Sequence, residues 1–289
     1  MGDIEQYERV DFLKTYGIVP FSIWETEDAK YSNKILKHLK EVRGESTREG
    51  TLKSFGGAGT RTKYTATTSY FNPKLCKIIY SSYCPQNGSI FDPFSSVVRP
   101  YMAKLLDYQY VGCEIRKDEY DKIQRIVNDG TLFSTSSVEL LNIDCRTFES
   151  EKKFDLVFTC PPYWNLEHYS DNPGDLSDIS NYDEFLKEMG AVYAKCSSVM
   201  HDESFCCFVV ADFRDYSEGR KLIERLVPFV SDMIHCGERN GLYLYDKVIL
   251  KKPLGTAPSR LKLWNNRKTV RIHEELLVFR KGKHNYDKL

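Results

Sequence analysis

The 289-residue chain has no surplus of charge: 41 Lys and Arg stand against 41 Asp and Glu. Net charge therefore gives no sign of a nucleic-acid partner, and any such signal must lie in how the charges are distributed. Long apolar runs are also missing. The longest strongly apolar stretch, Phe205 to Ala211, is seven residues, against the ~20 that cross a bilayer, so no membrane partner is expected. The first residues, MGDIEQYERVDFLK, are polar and acidic and lack the apolar centre of a signal peptide. The nine cysteines include no CxxC pair and no His-rich cluster accompanies them, so no metal is expected. Cys113, Cys206 and Cys207 lie in apolar, strand-like runs, which fits reduced thiols and a cytoplasmic location. What is present is ordinary for a folded domain. Hydrophobic residues make up 41% and charged residues 28%, which excludes wholesale disorder.

Residues 1–66 show weak periodicity, with a helix predicted near Ala29–Val42. The segment RGESTREGTLKSFGGAGTRTK (43–63) holds five glycines and is expected to be a linker. Lys34 to Lys63 carries eight Lys or Arg against three Glu, so this arm is locally basic. Its FGGAGT piece lacks the Lys-Ser/Thr of a phosphate-binding P-loop. The expected organisation is an N-terminal extension (1–66), a main domain (67–283) and a short tail (284–289). From residue 70 the pattern sharpens. Helices are predicted over Pro73–Tyr83, Val97–Leu106, Asp118–Asn128, Tyr182–Met200 and near Gly219–His235. Strands are predicted over Ser89–Phe94, Tyr110–Ile115, Val138–Asp144, Phe154–Cys160, Ser204–Asp212, Leu242–Leu250 and Glu275–Arg280. Short apolar runs alternating with helices predict an α/β fold with a doubly wound, mostly parallel sheet. Such sheets bind ligands at the carboxyl ends of their strands, beside the switch point.

Four successive strands end in polar groups: Asp92-Pro93-Phe94, Glu114, Asp144 and Cys160-Pro161-Pro162-Tyr163-Trp164. A lone carboxylate at a strand end is commonly a helix cap. Three of them, 22 and 30 residues apart, suggest one ligand lying across the strand tips. Carboxylates suit a ligand bearing an amine, ribose hydroxyls and an adenine amino group, because they accept charge-assisted hydrogen bonds. The Pro-Pro-Tyr turn is the most specific signal. Each proline fixes φ and removes a backbone donor, so carbonyls can face the site as acceptors beside an aromatic plate. An exocyclic amino group on a base needs that combination.

These motifs resemble a known family. TCPPYW at 159–164 resembles motif IV of the amino-group DNA methyltransferases, the (Asp/Asn/Ser)-Pro-Pro-(Tyr/Phe/Trp) signature. FDPF at 91–94 resembles their motif I, and YVGCEI at 110–115 their acidic second-strand motif. SYFNPKLCKIIY at 69–80 resembles the cofactor-contacting segment upstream. VPFSIWET, CPPYWNLEHYSDNPGDLS, DFRD and RKTVRIHEELLVFRKG are similar to a phage and bacterial group of DNA methylases. The resemblance spans roughly residues 18 to 283. It implies a Rossmann-like, seven-stranded methyltransferase sheet with an antiparallel last strand pair, S-adenosylmethionine as cofactor and double-stranded DNA, with its target base flipped out, as partner. Carried over residue by residue, it implies that Tyr70 and Phe71 wall the cofactor pocket. Asp92 would face the methionine amino group beside Phe94, Ser95 and Ser96. Glu114, with Ile115 after it, would hold the ribose, and Asp144 would lie near the adenine amino group. Cys160 and the Pro161 carbonyl, with Pro162, would bind the target amino group, and Tyr163 would stack on the flipped base.

Two departures stand out. The family follows Asp-Pro-Phe with Ala/Gly-Gly, which lets the backbone approach the cofactor; here the chain has Ser95-Ser96-Val97-Val98-Arg99-Pro100. Cys160 replaces Asp, Asn or Ser and is a weak acceptor. Cys160 as a nucleophile for carbon-5 methylation is a rival chemistry, but no sequence neighbour supplies the cation that a thiolate needs. Between Lys251 and Ile272 lie seven basic residues and no acidic one. Arg260, Lys262, Arg267, Lys268 and Arg271 in this loop are expected to contact DNA phosphates. A catalytically silent binding protein on the same fold, and an RNA or free-nucleotide substrate, remain open alternatives.

Overall fold

The structure of the protein, a computed structural model, describes residues 14, 21–25, 29–43, 47–53, 61–67, 70–128, 134, 136–164, 169–215, 225–252, 267, 269 and 271–282. In chain order the strands and α-helices are β1 (Ile23–Trp24), α1 (Ala29–Arg43), β2 (Thr47–Lys53), β3 (Arg61–Thr67), α2 (Pro73–Tyr83), β4 (Ser89–Asp92) and α3 (Val98–Leu105). Then come β5 (Gln109–Cys113), α4 (Lys117–Val127), β6 (Val138–Leu141), β7 (Phe154–Thr159), α5 (Tyr182–Val199) and β8 (Met200–Val210). Last are β9 (Phe213–Asp215), β10 (Arg225–Val227), α6 (Phe229–Arg239), β11 (Leu242–Lys251) and β12 (His273–Lys281).

Eight strands form one sheet in the order β1-β11-β12-β8-β7-β4-β5-β6. Strands β4 to β8 run parallel, and β12 is antiparallel to both its neighbours, β8 and β11. This is the α/β, doubly wound arrangement with an antiparallel last pair, and it carries one strand more than expected. Ile23–Trp24 adds in parallel to β11, with Ile23 opposite Ile249. Two residues are too short a run for any periodic signal. The chain leaves β4 for β5 and β6 on one side, then returns to β7 on the other. Ile90 and Phe91 therefore pair with both β5 and β7, and the switch point lies between β4 and β7.

Both faces of the sheet are covered, which is why the central strands carry unbroken apolar runs such as 205–210 and 276–279 in place of alternation. Cys207, Val209, Leu276 and Val278 face one core, together with residues of α1 to α4. Cys206, Phe208, Val210, Leu277 and Phe279 face the other, with α5 and α6. Trp24, Ile35 and Leu39 of the N-terminal region are buried in the first core, so β1 and α1 pack as part of the sheet domain. Helix α2 starts where Asn72 Oδ1 accepts from the Lys74 and Leu75 N–H groups, with Pro73 at the first position, a strong start signal.

Two expectations are corrected. The glycine-rich segment 43–63 is not plain linker: β2 and β3 pair antiparallel, with Gly50 opposite Tyr64. Its threonines and Tyr64 favour extended structure. The helix expected near Gly219–His235 begins only after Pro228, and Arg225–Val227 is instead a strand paired with β9. Proline removes a helix donor and terminates the pattern on its N-terminal side.

Candidate active site

The carboxyl ends of β4, β5 and β7 open into one cavity of about 790 Å³, within the size range of small-molecule sites. Tyr70, Phe71, Phe94, Ser95, Ser96, Glu114, Ile115, Asp144, Cys160, Pro161, Pro162, Tyr163 and Arg271 all line it. The structure thus brings together the residues of all four strand ends, with one exception.

That exception is Asp92, expected to face the ligand. It is fully buried and lies behind the wall. Its Oδ2 accepts from Arg99 Nε at 2.6 Å and from the Tyr110 hydroxyl at 2.6 Å. Its Oδ1 accepts from Thr159 Oγ1 at 2.7 Å and from the Phe94 N–H at 3.1 Å. A carboxylate so surrounded by donors turns inward because a buried charge is costly until paired. Arg99 takes the place on the cavity wall. Sequence reasoning missed it; the one clue was an arginine in a turn where the family has small residues.

The Ser95-Ser96 departure has a compensation. Ser95 donates its N–H to the Cys113 carbonyl at 2.7 Å, and its hydroxyl lies 2.9 Å from that of Tyr110. A Cβ built on Gly112 would stand 2.8 Å from Ser95 Oγ. The missing side chain at Gly112 makes the room that the serine occupies.

Glu114 follows β5 and accepts from the Arg116 N–H at 2.8 Å. Burial pushes its carboxyl up to about 8, against the opposing pull of the Arg116 N–H and guanidinium. Asp144 caps the short 3-10 turn Cys145–Thr147 and is held by the Arg146 guanidinium. Arg146 also bonds Glu188 and the Gly174 carbonyl. An acidic stretch follows the Cys160–Tyr163 turn, with Asp171, Asp175, Asp178, Asp183 and Glu184. Tyr169, Gly174, Asp175 and Leu176 of this stretch wall the cavity, and the cap of α5 is Asn181, accepting from the Glu184 N–H at 2.9 Å. Gly174 approaches so closely that a Cβ there would lie 2.8 Å from Ile115 Cδ1.

At the far side, the Pro161 carbonyl accepts no hydrogen bond from any described residue. The Tyr163 ring packs against Phe229 at 5.4 Å and edge-on to Phe213 at 6.2 Å, so its orientation is fixed. Burial raises the pKa of its hydroxyl well above the ordinary value, and the hydroxyl stays neutral. Cys160 lies within electrostatic reach of Arg99, but that guanidinium is already compensated by Asp92. The mouth is ringed by ion pairs: Lys251 with Glu25, Lys252 with Glu274, and Arg271 with Asp212 at 3.2 Å. Of the other expected DNA contacts, Arg267 is exposed with φ 59° and is not part of the cavity lining; Arg260, Lys262 and Lys268 lie outside the described residues.

Residues 154–289 match an N6/N4 methyltransferase family described as DNA methylase. The match covers the Cys160–Tyr163 turn, and over these residues it bears out the resemblance to the amino-methyltransferases. Over this part of the chain the similarity is to a methyltransferase family. No curated protein matches the chain. Among solved structures, it is similar to TrmN from Thermus thermophilus (9% identity, 73% of this chain and 49% of that one, TM-score 0.46). It is also similar to a SAM-dependent methyltransferase from Methanosarcina mazei (10% identity, 72% and 98%, TM-score 0.49). A third is a methyltransferase from Pyrococcus furiosus (12% identity, 89% and 100%, TM-score 0.47). The chain spans about half the length of the first of these.

Proposed function

We propose that the protein methylates the exocyclic amino group of a base in DNA, cytosine N4 or adenine N6, using S-adenosylmethionine, with the target base flipped out of the duplex. The observation that carries this reading is that the Cys160–Tyr163 turn and the Glu114 and Asp144 tips share one cavity. The cavity's chemistry fits the cofactor. Glu114 is an acceptor for ribose hydroxyls, Ile115 and Phe94 are apolar walls for the adenine, and Tyr70 and Phe71 add aromatic lining. When bound, S-adenosylmethionine supplies an electrophilic methyl group.

The residues on the other side act on the substrate. An aryl amino nitrogen is a weak nucleophile because its lone pair is delocalised into the ring. The Pro161 carbonyl accepts one of its N–H bonds, and Cys160 borders the other. Both favour a pyramidal nitrogen with its lone pair aimed across the cavity. The gain is mainly positional, about 7–11 kcal/mol for a well-oriented pair, with fixed dipoles adding to it. Tyr163, held by Phe213 and Phe229, offers a flat surface to an unstacked base and offsets the cost of extrusion. The basic segment 251–272 supplies phosphate contacts.

The test is nucleoside mass analysis of DNA incubated with the protein and methyl-labelled cofactor. N4-methylcytosine or N6-methyladenine is expected. Label on carbon 5 of a pyrimidine would replace this chemistry with the thiolate route, and label in RNA alone would change the substrate. No label, together with no cofactor binding by calorimetry, would favour a silent binding protein. Cys160→Ser should retain transfer, because the proposed mechanism needs no covalent intermediate.

A further inference from the structure

Helix α3 begins beside the cavity with its amino end open. Its N-cap, Val97, provides no side-chain hydrogen bond. The N–H groups of Ser96, Val97 and Val98 donate to no acceptor among the described residues, and Pro100 has none to offer. An uncapped helix start carries partial positive charge and suits an anion. Arg99 lies in the same turn, and its side chain is only 3% exposed. Nε bonds Asp92, and Nη2 bonds the Phe94 carbonyl and, at 3.5 Å, Asp92 Oδ1. The guanidinium carbon sits 5.3 Å over the Phe71 ring. These bonds use Nε and Nη2 and leave Nη1 without an acceptor among the described residues, while Arg99 lines the cavity.

We propose that Nη1 of Arg99 and the open start of α3 bind the carboxylate of the cofactor's amino-acid tail, and that Asp92 is the positioning residue that holds the guanidinium there. The inference rests on the reading of this cavity as the S-adenosylmethionine site. The donors left unused on this part of the wall are a cation, backbone N–H groups and the buried Ser96 hydroxyl, a set that suits a negative group. Asp92, whose charge Arg99 neutralises and whose oxygens already take up its buried donors, has no direct part in ligand binding. The glycine-rich turn of the family would give way here to a charged side chain, with Ser95 packed into the space over Gly112.

The experiment compares S-adenosylmethionine with its decarboxylated analogue, which keeps the sulfonium and the amine, by calorimetry on the full chain. Loss of one charge-assisted contact should weaken the analogue about tenfold or more. In R99M the two ligands should bind within about threefold of each other, S-adenosylmethionine having lost what the analogue lacks. Because R99M strands the buried Asp92, the same pair is measured in D92N/R99M, where the ratio should also collapse. Equal binding of the two ligands to the wild type overturns the inference. So does a ratio that survives in both variants, which would mean that another group binds the carboxylate. 5′-Methylthioadenosine separates the failures: if neither it nor the two sulfonium ligands bind the wild type, the cofactor reading of the cavity fails, and this inference with it.

Discussion

Asp92→Asn removes one charge from an ion pair that is closed off from solvent, with side-chain exposures of 3% for Arg99 and 0% for Asp92. The amide keeps the shape but offers one acceptor oxygen where the carboxylate offers two. Arg99 Nε and the Tyr110 hydroxyl both donate to Oδ2, and Thr159 and the Phe94 N–H both donate to Oδ1, so one pair of donors meets an NH₂ group. Breaking a buried pair by neutralising one partner costs about 3–5 kcal/mol, because the other charge is left uncompensated. Equilibrium denaturation should show that loss as a lower midpoint with an unchanged m-value. D92N/R99M, which removes both charges, should return to within about 2 kcal/mol of wild type, since apolar replacement of a whole pair is often close to neutral. A carboxylate facing the ligand behaves in the opposite way: its neutralisation leaves stability nearly intact and weakens binding alone. If D92N loses less than about 1 kcal/mol and cofactor affinity falls instead, the inward orientation of Asp92 is wrong.

Other outcomes follow from the same site. Burial raises the Glu114 carboxyl to about 8, whereas ribose hydroxyls require the ionised form. Cofactor affinity should therefore climb with pH, up to tenfold per unit below about pH 8, and level off above it; calorimetry in buffers of different ionisation enthalpy should detect proton release, and a flat pH profile would refute the role. The folded state holds a proton that the unfolded chain sheds above the ordinary carboxylate range, so this group makes stability fall as pH rises towards 8. E114Q should abolish that decline. Gly112→Ala would put a Cβ 2.7 Å from Tyr110 Cε1 and 2.8 Å from Ser95 Oγ, costing about 1–3 kcal/mol in thermal or chemical melts, with partial rescue by Ser95→Gly. Asp212→Asn should release Arg271 from its 3.2 Å pair while keeping an oxygen for the Val230 N–H. DNA binding should strengthen at low salt and its salt slope should steepen by about 0.9; an unchanged slope would remove Arg271 from the phosphate contacts.

The sheet was legible because burial on two faces leaves a plain trace: β7, β8 and β12 carry unbroken apolar runs at 156–158, 205–210 and 276–279. The position of the site followed from topology, since Asp92, Glu114, Asp144 and Cys160 end strands that must neighbour one another. Packing chemistry was harder to read. β1 pairs through two residues only, and the β2–β3 pairing is masked by the glycines around it. Arg99 resembles any polar residue at a helix start until the fold closes Phe71 over it and Asp92 beneath it.

The three acidic tips show what decides such cases. Each is followed by an arginine: Asp92 by Arg99, Glu114 by Arg116, Asp144 by Arg146. A strand-end carboxylate that captures its arginine is satisfied within the protein, as Asp92 is completely and Asp144 largely. At the middle tip the capture fails. The Arg116 guanidinium goes instead to Asp118 and Glu119, two acids in the first turn of α4. Glu114 is left with a single backbone N–H and a raised pKa. Competition for one cation by the next helix thus separates the one tip without a guanidinium partner from the two that have one. The competing acids stand only four and five residues downstream, in KDEYDK, so the distinction was written in the sequence at a range where charge pairing between tip, arginine and helix start can be weighed directly.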